Sequence, residues 1–164
     1  MINLSYEEHT FMPVYNKSSK ILILGSFPSV KSREARFYYH HPQNRFWKVI
    51  AGLTKEKLPK TIEEKKNMLL KHNIAIWDVI KSCEITGSSD SSIKNVVPAD
   101  IGSILQKSHI EKIYANGGKA YQLYMKYIYP DTKREIIKLP STSPANATYS
   151  LEYLLEIWRE KIEL

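Results

Sequence analysis

"ILILGSF", residues 21–27, is a nearly continuous apolar run that stops at a glycine and a serine. A run this short and this rich in isoleucine and leucine suits a strand covered on both faces. Three further runs share the pattern: "IAIWDV" (74–79), "KIYAN" (112–116) and "REIIKLP" (134–140). Helical spacing fills the gaps between them. "TIEEKKNMLLKHN" (61–73) sets charges against an apolar end, and "VPADIGSILQKS" (97–108) places Val97, Ile101, Ile104 and Leu105 on one face with Pro98 in a first turn. "GGKAYQLYMKYIY" (117–129) groups Tyr121, Tyr124, Met125 and Ile128. The last segment lines up Leu151, Leu154, Leu155, Trp158 and Ile162 behind a Ser150 N-cap. Strands alternating with helices predict an α/β fold, a parallel sheet with helices on both faces.

In such open sheets, sites form at the carboxyl ends of the strands. Those ends carry "GSFPS" (25–29), "WDVIKSCEITGSSDSS" (77–92), "ANGG" (115–118) and "LPSTSPANA" (139–147). Residues 28–43 show no clear periodicity, and a connection that long inside a compact domain marks a functional loop. Within and beyond it, "FYYHHPQNRFW" (37–47) is too polar for a buried strand and too aromatic for an ordinary loop.

The 164 residues suit one domain, 1–164, with a real core. No apolar run approaches a bilayer span and the start lacks a signal-peptide layout, so a cytoplasmic protein is expected. The single cysteine, Cys83, excludes an intrachain disulfide and all-cysteine metal sites. The net charge of +7 is uneven: residues 31–60 hold eight Lys or Arg against two acids. A basic region that coincides with an aromatic one favours a nucleic-acid partner.

"GSFPS" is not a dinucleotide fingerprint, and "NGGKAY" lacks the spacing of a phosphate loop. Adjacent His40 and His41 do not make a zinc site, no G-x-S-x-G elbow is present, and no metal is expected.

Four motifs remain, in order: Gly25–Ser29, Tyr38–Trp47, Asp90–Ile93 and Pro140–Asn146. Together they resemble the uracil-DNA glycosylase superfamily, from about residue 21 to the C-terminus. The closest resemblance is to its family-six branch, the hypoxanthine-DNA (deoxyinosine) glycosylases. That resemblance implies a three-layer α/β/α sandwich around a four-stranded, mainly parallel sheet. It also implies monofunctional hydrolysis of a deaminated base, most of all hypoxanthine, from DNA, with no cofactor and by a monomer. Uracil-specific branches carry an acid or amide just before the first-motif proline. Here that position is Phe27, which cannot orient water. The family-six resemblance supplies Asn44 instead, as the water-positioning catalytic residue, with its amide carbonyl expected to orient the water; by itself, an asparagine there also reads as a helix cap.

An extruded base needs stacking and edge hydrogen bonds. Gly25, Ser26, Phe27, Pro28, Ser29, Tyr38, Tyr39, His41 and Phe46 are the candidates on one wall, with Ser141 and Asn146 on the other. Trp47 reads as core. Lys31, Arg33, Arg45, Lys48 and Ser143 are candidates for the DNA backbone, with a log–log salt slope of roughly −0.9 per phosphate neutralised. Hypoxanthine discrimination requires a donor facing O6 and an acceptor facing N1–H, for which backbone groups of the Ser26–Ser29 turn or a side-chain amide are candidates; which of them serves is not legible. Asp78 and Asp90 read as turn or cap residues before any functional use. The alternatives are removal of uracil or another deaminated base, a silent lesion-binding module, and a small-molecule nucleoside hydrolase.

Overall fold

A computed structural model describes residues 4–162 and 164. Elements are numbered in chain order. A short strand β1 (Ser5–Glu8) is followed by an extended segment that runs to the buried strand β2 (Ile21–Gly25). Next come α1 (Val30–Ala35), α2 (Phe46–Thr54) and α3 (Ile62–Lys71). Strands β3 (Ile74–Asp78), β4 (Ile80–Ile85) and β5 (Lys94–Pro98) lead to α4 (Ile101–Gln106) and β6 (Lys112–Asn116). The chain closes with α5 (Gly118–Tyr127), α6 (Tyr129–Thr132), β7 (Ile136–Leu139) and α7 (Leu151–Lys161).

The four expected strands form one parallel sheet in the order β3-β2-β6-β7. Central β2 is buried along its whole length, which is why its sequence shows no polar alternation. Its side chains divide between two cores. Ile21 and Ile23 pack with Phe46, Trp47, Ile50, Leu69, Leu154 and Trp158 of α2, α3 and α7. Leu22 and Leu24 pack with Ile101, Ile104, Ala120, Leu123 and Tyr124 of α4 and α5. Helices therefore cover both faces, and the three-layer sandwich stands. Thr61 and Ser150 close their helices through side-chain oxygens that accept from Glu64 N and Tyr153 N.

Three expectations are corrected. Val97 and Pro98 belong to β5, not to a helix, and Val97 is exposed; the helix starts later, behind an Asp100 cap. Residues 28–43 contain α1, capped by Ser29; "VKSREA" has no apolar stripe, so nothing periodic betrayed it. A second, antiparallel sheet, β1-β4-β5, also escaped the sequence reading. Its outer strands are short and at most half-buried, so only β4 carries a buried pattern.

The segment after β1 covers the free edge of β3. Val14 and Ile76 exchange backbone hydrogen bonds of 3.0 and 2.9 Å, His9 N donates to Lys81 O at 2.8 Å, and Tyr38 Oη donates to Met12 O at 2.8 Å. An open edge is thereby blunted.

Candidate active site

All four parallel strands deliver a residue or loop to one cavity of about 330 Å³ at their carboxyl ends. Gly25 ends β2 and Asp78 ends β3, paired in register; Asn116 ends β6, and Ser141–Ala145 follow β7. Tyr38, Tyr39, His41 and Asn44 close one side, and Ser26–Ser29 with Ser88 and Asp90 the other. A shallower groove of about 510 Å³ shares Asp90, Ser141, Ser143 and Ala145 with this cavity and extends along Lys138 and Lys161. At about 330 Å³ the cavity lies near the small end of ligand sites, which run from about 300 to 1,000 Å³.

One wall is a closed hydrogen-bond network. Asn44 Oδ1 accepts from Phe46 N at 2.9 Å, closing the first turn of α2, and from the Thr142 hydroxyl at 2.8 Å. Thr142 is fully buried. Its Oγ1 accepts from Asn116 Nδ2 at 3.0 Å, and its N–H donates to Asn116 Oδ1 at 3.0 Å. The Phe46 N–H identifies the Asn44 oxygen unambiguously, because only the carbonyl end can accept from it. Both acceptor sites of that oxygen are filled, so the Asn44 group left for the cavity is the Nδ2 amide.

The floor is built the opposite way. Asp78 is almost wholly buried, and Oδ2 is bound by His9 Nε2 at 2.8 Å, while Oδ1 has no hydrogen bond among the described residues. Gly25 makes room for it: a Cβ there would collide with Asp78 Oδ1 and stand 3.1 Å from Tyr39 Oη. That tyrosine hydroxyl is buried and without a partner. Burial and the neighbouring Asp78 charge push the Tyr39 phenol well above its ordinary 10.0, with the nearby Asn116 amide offsetting part of the rise. Tyr39 is therefore a neutral donor. Its backbone holds φ +52°, an uncommon state for a non-glycine residue, and its ring stacks on Phe46 at 4.0 Å.

Several residues singled out from sequence have different settings. Phe46 is fully buried and backs Tyr39 from the core, so it does not face the cavity. Phe27 lines the cavity, with the Arg33 guanidinium 5.5 Å from its ring centre. Arg33 donates to Pro28 O and Gly87 O, fastening α1 to the 86–92 loop. Arg45 donates to the carbonyls of Tyr149, Ser143 and Asn146. Three charge-assisted bonds to one loop make Arg45 its clamp, and its guanidinium is not a free phosphate ligand. The Asn146 amide folds back on Ser141 O at 2.9 Å, away from the cavity. Ser141 and Ser143 line the cavity, and His41 is half-buried at its edge. Lys31 is exposed at the start of α1, loosely paired with Glu34 at 4.0 Å.

Sequence reasoning missed Thr142, Asn116, His9 and Tyr39's orphan hydroxyl, and undervalued Asp78 and Asp90. Asp90 accepts from Ser26 Oγ at 2.9 Å. The residue is exposed overall, yet crowding around its carboxyl raises its pKa, with Ser26 and Lys119 pulling the other way. Lys119, in the first turn of α5, acts electrostatically on the Asp90 carboxyl and falls outside the expected basic stretch.

No lysine lines the cavity. The lysine with a burial-lowered pKa, Lys65, lies over the Trp47 ring at 5.3 Å instead. Cys83 is buried in β4 with its thiol pushed up to about 11, which leaves it without nucleophilic character. Among the described residues, no group of three or more His, Cys, Asp or Glu is placed to hold a metal ion, and no helix is long and apolar enough to cross a membrane.

A parallel sheet whose four carboxyl ends converge on a polar-floored, aromatic-walled cavity has a counterpart in a known family. The chain belongs to the uracil DNA glycosylase superfamily, whose model matches residues 12–161. Within it, the chain is 36% identical over 144 residues to the hypoxanthine DNA glycosylase of Methanosarcina acetivorans, covering 85% of this chain and 89% of that protein. It is 37% identical over 86 residues to the hypoxanthine DNA glycosylase of Methanosarcina barkeri, covering 52% and 54%. A solution NMR structure from M. acetivorans, presented as a candidate uracil DNA glycosylase, superposes with a TM-score of 0.76 at 30% identity, covering 92% of this chain and 95% of that one.

Proposed function

We propose that this protein is a DNA glycosylase that hydrolyses the N-glycosidic bond of a deaminated base, hypoxanthine foremost, and leaves an abasic site. The observation that carries the reading is the floor: one unpaired acceptor, Asp78 Oδ1, and one unpaired donor, Tyr39 Oη, crowd the same point beside Gly25. Deamination converts an amino group beside a ring nitrogen into a carbonyl beside an N–H. That edge needs one donor and one acceptor, and this floor offers both. Adenine presents the reverse pattern and would leave both protein groups unmatched, the strong direction of discrimination. Uracil carries the same carbonyl and N–H, as do guanine and thymine, so the floor rejects adenine and cytosine, and the guanine amino and thymine methyl groups must be refused by the shape of the small cavity around it. The relatives named hypoxanthine DNA glycosylase support the purine.

In this reading Phe27 flanks the extruded base, and Tyr39 Oη, aimed at the base edge, supports the charge that reaches the base carbonyl as the bond to the sugar breaks. Asn44 holds the water through its Nδ2 amide, rigidly, because its oxygen is fixed by Phe46 and Thr142. A water oriented towards an oxocarbenium-like sugar needs little activation, so positioning does most of the work. Asp90, at the cavity mouth, is the carboxylate available to accept the water's proton. Lys31, Lys119 and the rim of Ser143 with Pro144 meet the DNA strand. Residues 1–164 act as one domain, a cytoplasmic monomer needing no metal or organic cofactor.

The test is alkali-induced strand cleavage of oligonucleotides with one deoxyinosine, one deoxyuridine or only normal bases. The expected order is deoxyinosine first, deoxyuridine second and no release from normal DNA. Binding to a deoxyinosine duplex without release of base would leave a silent lesion-binding module instead.

A further inference from the structure

The segment before β2 contributes to the cavity without lining it. His9 comes from this segment, just after β1, 69 residues away from Asp78, and its Nε2 meets Asp78 Oδ2 at 2.8 Å with both side chains about 5% exposed or less. The ring sits in an aromatic box: Phe11 at 4.4 Å, Tyr38 at 5.8 Å and Phe27 at 6.2 Å between centres. Its other nitrogen, Nδ1, is buried and has no partner. A histidine kept for stability alone would have both nitrogens satisfied, since buried polar atoms nearly always are. This one leaves a polar atom unpaired in order to deliver a single bond to a single carboxylate oxygen. The backbone around it is held by Lys81 O, Ile76 and Tyr38, so the ring has little freedom to retreat.

Resting on the base-reading floor described above, we propose that His9 is a positioning residue for base recognition. By fixing Oδ2 of Asp78 it turns Oδ1 towards the cavity, where that oxygen accepts the ring N–H that deamination creates. Asp78 has no other hydrogen-bond partner among the described residues to set its rotation. Without His9 the carboxylate swings and the acceptor is lost, although the catalytic wall of Asn44, Thr142 and Asn116 stays intact. The N-terminal segment is thus part of the specificity apparatus, not merely a cover for a sheet edge.

The experiment compares the full-length wild type, His9→Ala, His9→Gln and Asp78→Ala on deoxyinosine and on N1-methyldeoxyinosine, which lacks the N–H. Single-turnover cleavage is measured alongside calorimetric binding of free hypoxanthine and 1-methylhypoxanthine, and thermal unfolding monitors the fold. His9→Ala is expected to shrink the preference for the N–H form by about 10- to 100-fold, the range for losing a hydrogen bond to a charged group. Asp78→Ala should do the same, and a variant combining His9→Ala with Asp78→Ala, measured alongside, should be no worse than Asp78→Ala alone. His9→Gln, whose amide N–H can reach the same oxygen, should recover most of the preference. An equal loss on both forms, or an unchanged preference, would overturn the proposal and reduce His9 to a core residue. If His9→Ala does not fold, failure of His9→Gln to keep the preference overturns it. If the wild type cleaves neither substrate but binds hypoxanthine over its methylated form, the glycosylase reading falls while the His9 test proceeds on binding. If it also binds neither base, both fall.

Discussion

The two polar surfaces of the cavity are built on opposite principles. Along the Asn44 wall every oxygen has its donor: Asn116 feeds Thr142, Thr142 feeds Asn44, and the start of α2 takes the remaining lone pair. On the floor, Asp78 Oδ1 and Tyr39 Oη are left open in a setting where unpaired polar atoms are costly. A satisfied network is rigid and suits a group that must hold a water in one place. An unsatisfied pair suits a group that waits for a ligand, because the ligand that completes it is rewarded and the one that does not is penalised.

The largest expected effect is on the wall. Asn44→Ala removes the cap and the amide together and should lower single-turnover cleavage of deoxyinosine by at least about 100-fold. It should lower stability by only about 1 kcal/mol, the usual cost of a lost cap. Cleavage that survives would return Asn44 to capping and move the chemistry to Asp90. Gly25→Ala strikes the floor from beneath, since its Cβ must displace Asp78 Oδ1. Overpacking of this kind costs about 1–3 kcal/mol, and the preference for deoxyinosine should fall with it. An unaltered preference would mean that Oδ1 is not the acceptor.

Thr142→Val tests whether the wall works as a unit. It keeps the shape, cuts the relay and strands the Asn116 amide, at about 1–3 kcal/mol in unfolding free energy. The rate should fall about fivefold, with selectivity between bases unchanged, as follows from one neutral hydrogen bond of about 1 kcal/mol. Tyr39→Phe should do the reverse. Removing an unpaired buried hydroxyl leaves the melting temperature the same or higher, while deoxyinosine affinity drops by about the worth of one hydrogen bond, severalfold. The smallest effect is alkaline. Burial raises the Tyr38, Tyr39 and Tyr124 phenols in the folded state. Above about pH 10 the unfolded chain loses those protons first, so stability should decline there, while activity keeps the neutral Tyr39 donor up to the point of unfolding. Denaturant midpoints across pH 8 to 11 would show it.

The sequence by itself determined the parallel sheet, its capped helices and the segments that meet at the cavity. Apolar runs such as 21–25 and a cap such as Ser150 act within a few residues of themselves, so their signals are local and readable, whereas the Thr61 cap was seen only in the structure. Asn44 was legible as both cap and catalytic candidate, and the structure keeps both open by filling its oxygen and leaving its amide. What only the tertiary structure decided is which polar atoms pair and which do not. Arg45 is diverted to the carbonyls of the 143–149 loop, Phe46 is sunk behind Tyr39, and Thr142 becomes the link between two strands' ends. The antiparallel sheet was hidden because its edge strands are short and bury no residue fully, and with it the route that carries His9 to Asp78. Pairing across 69 residues is set by how the layers dock, and no periodicity within either segment records it.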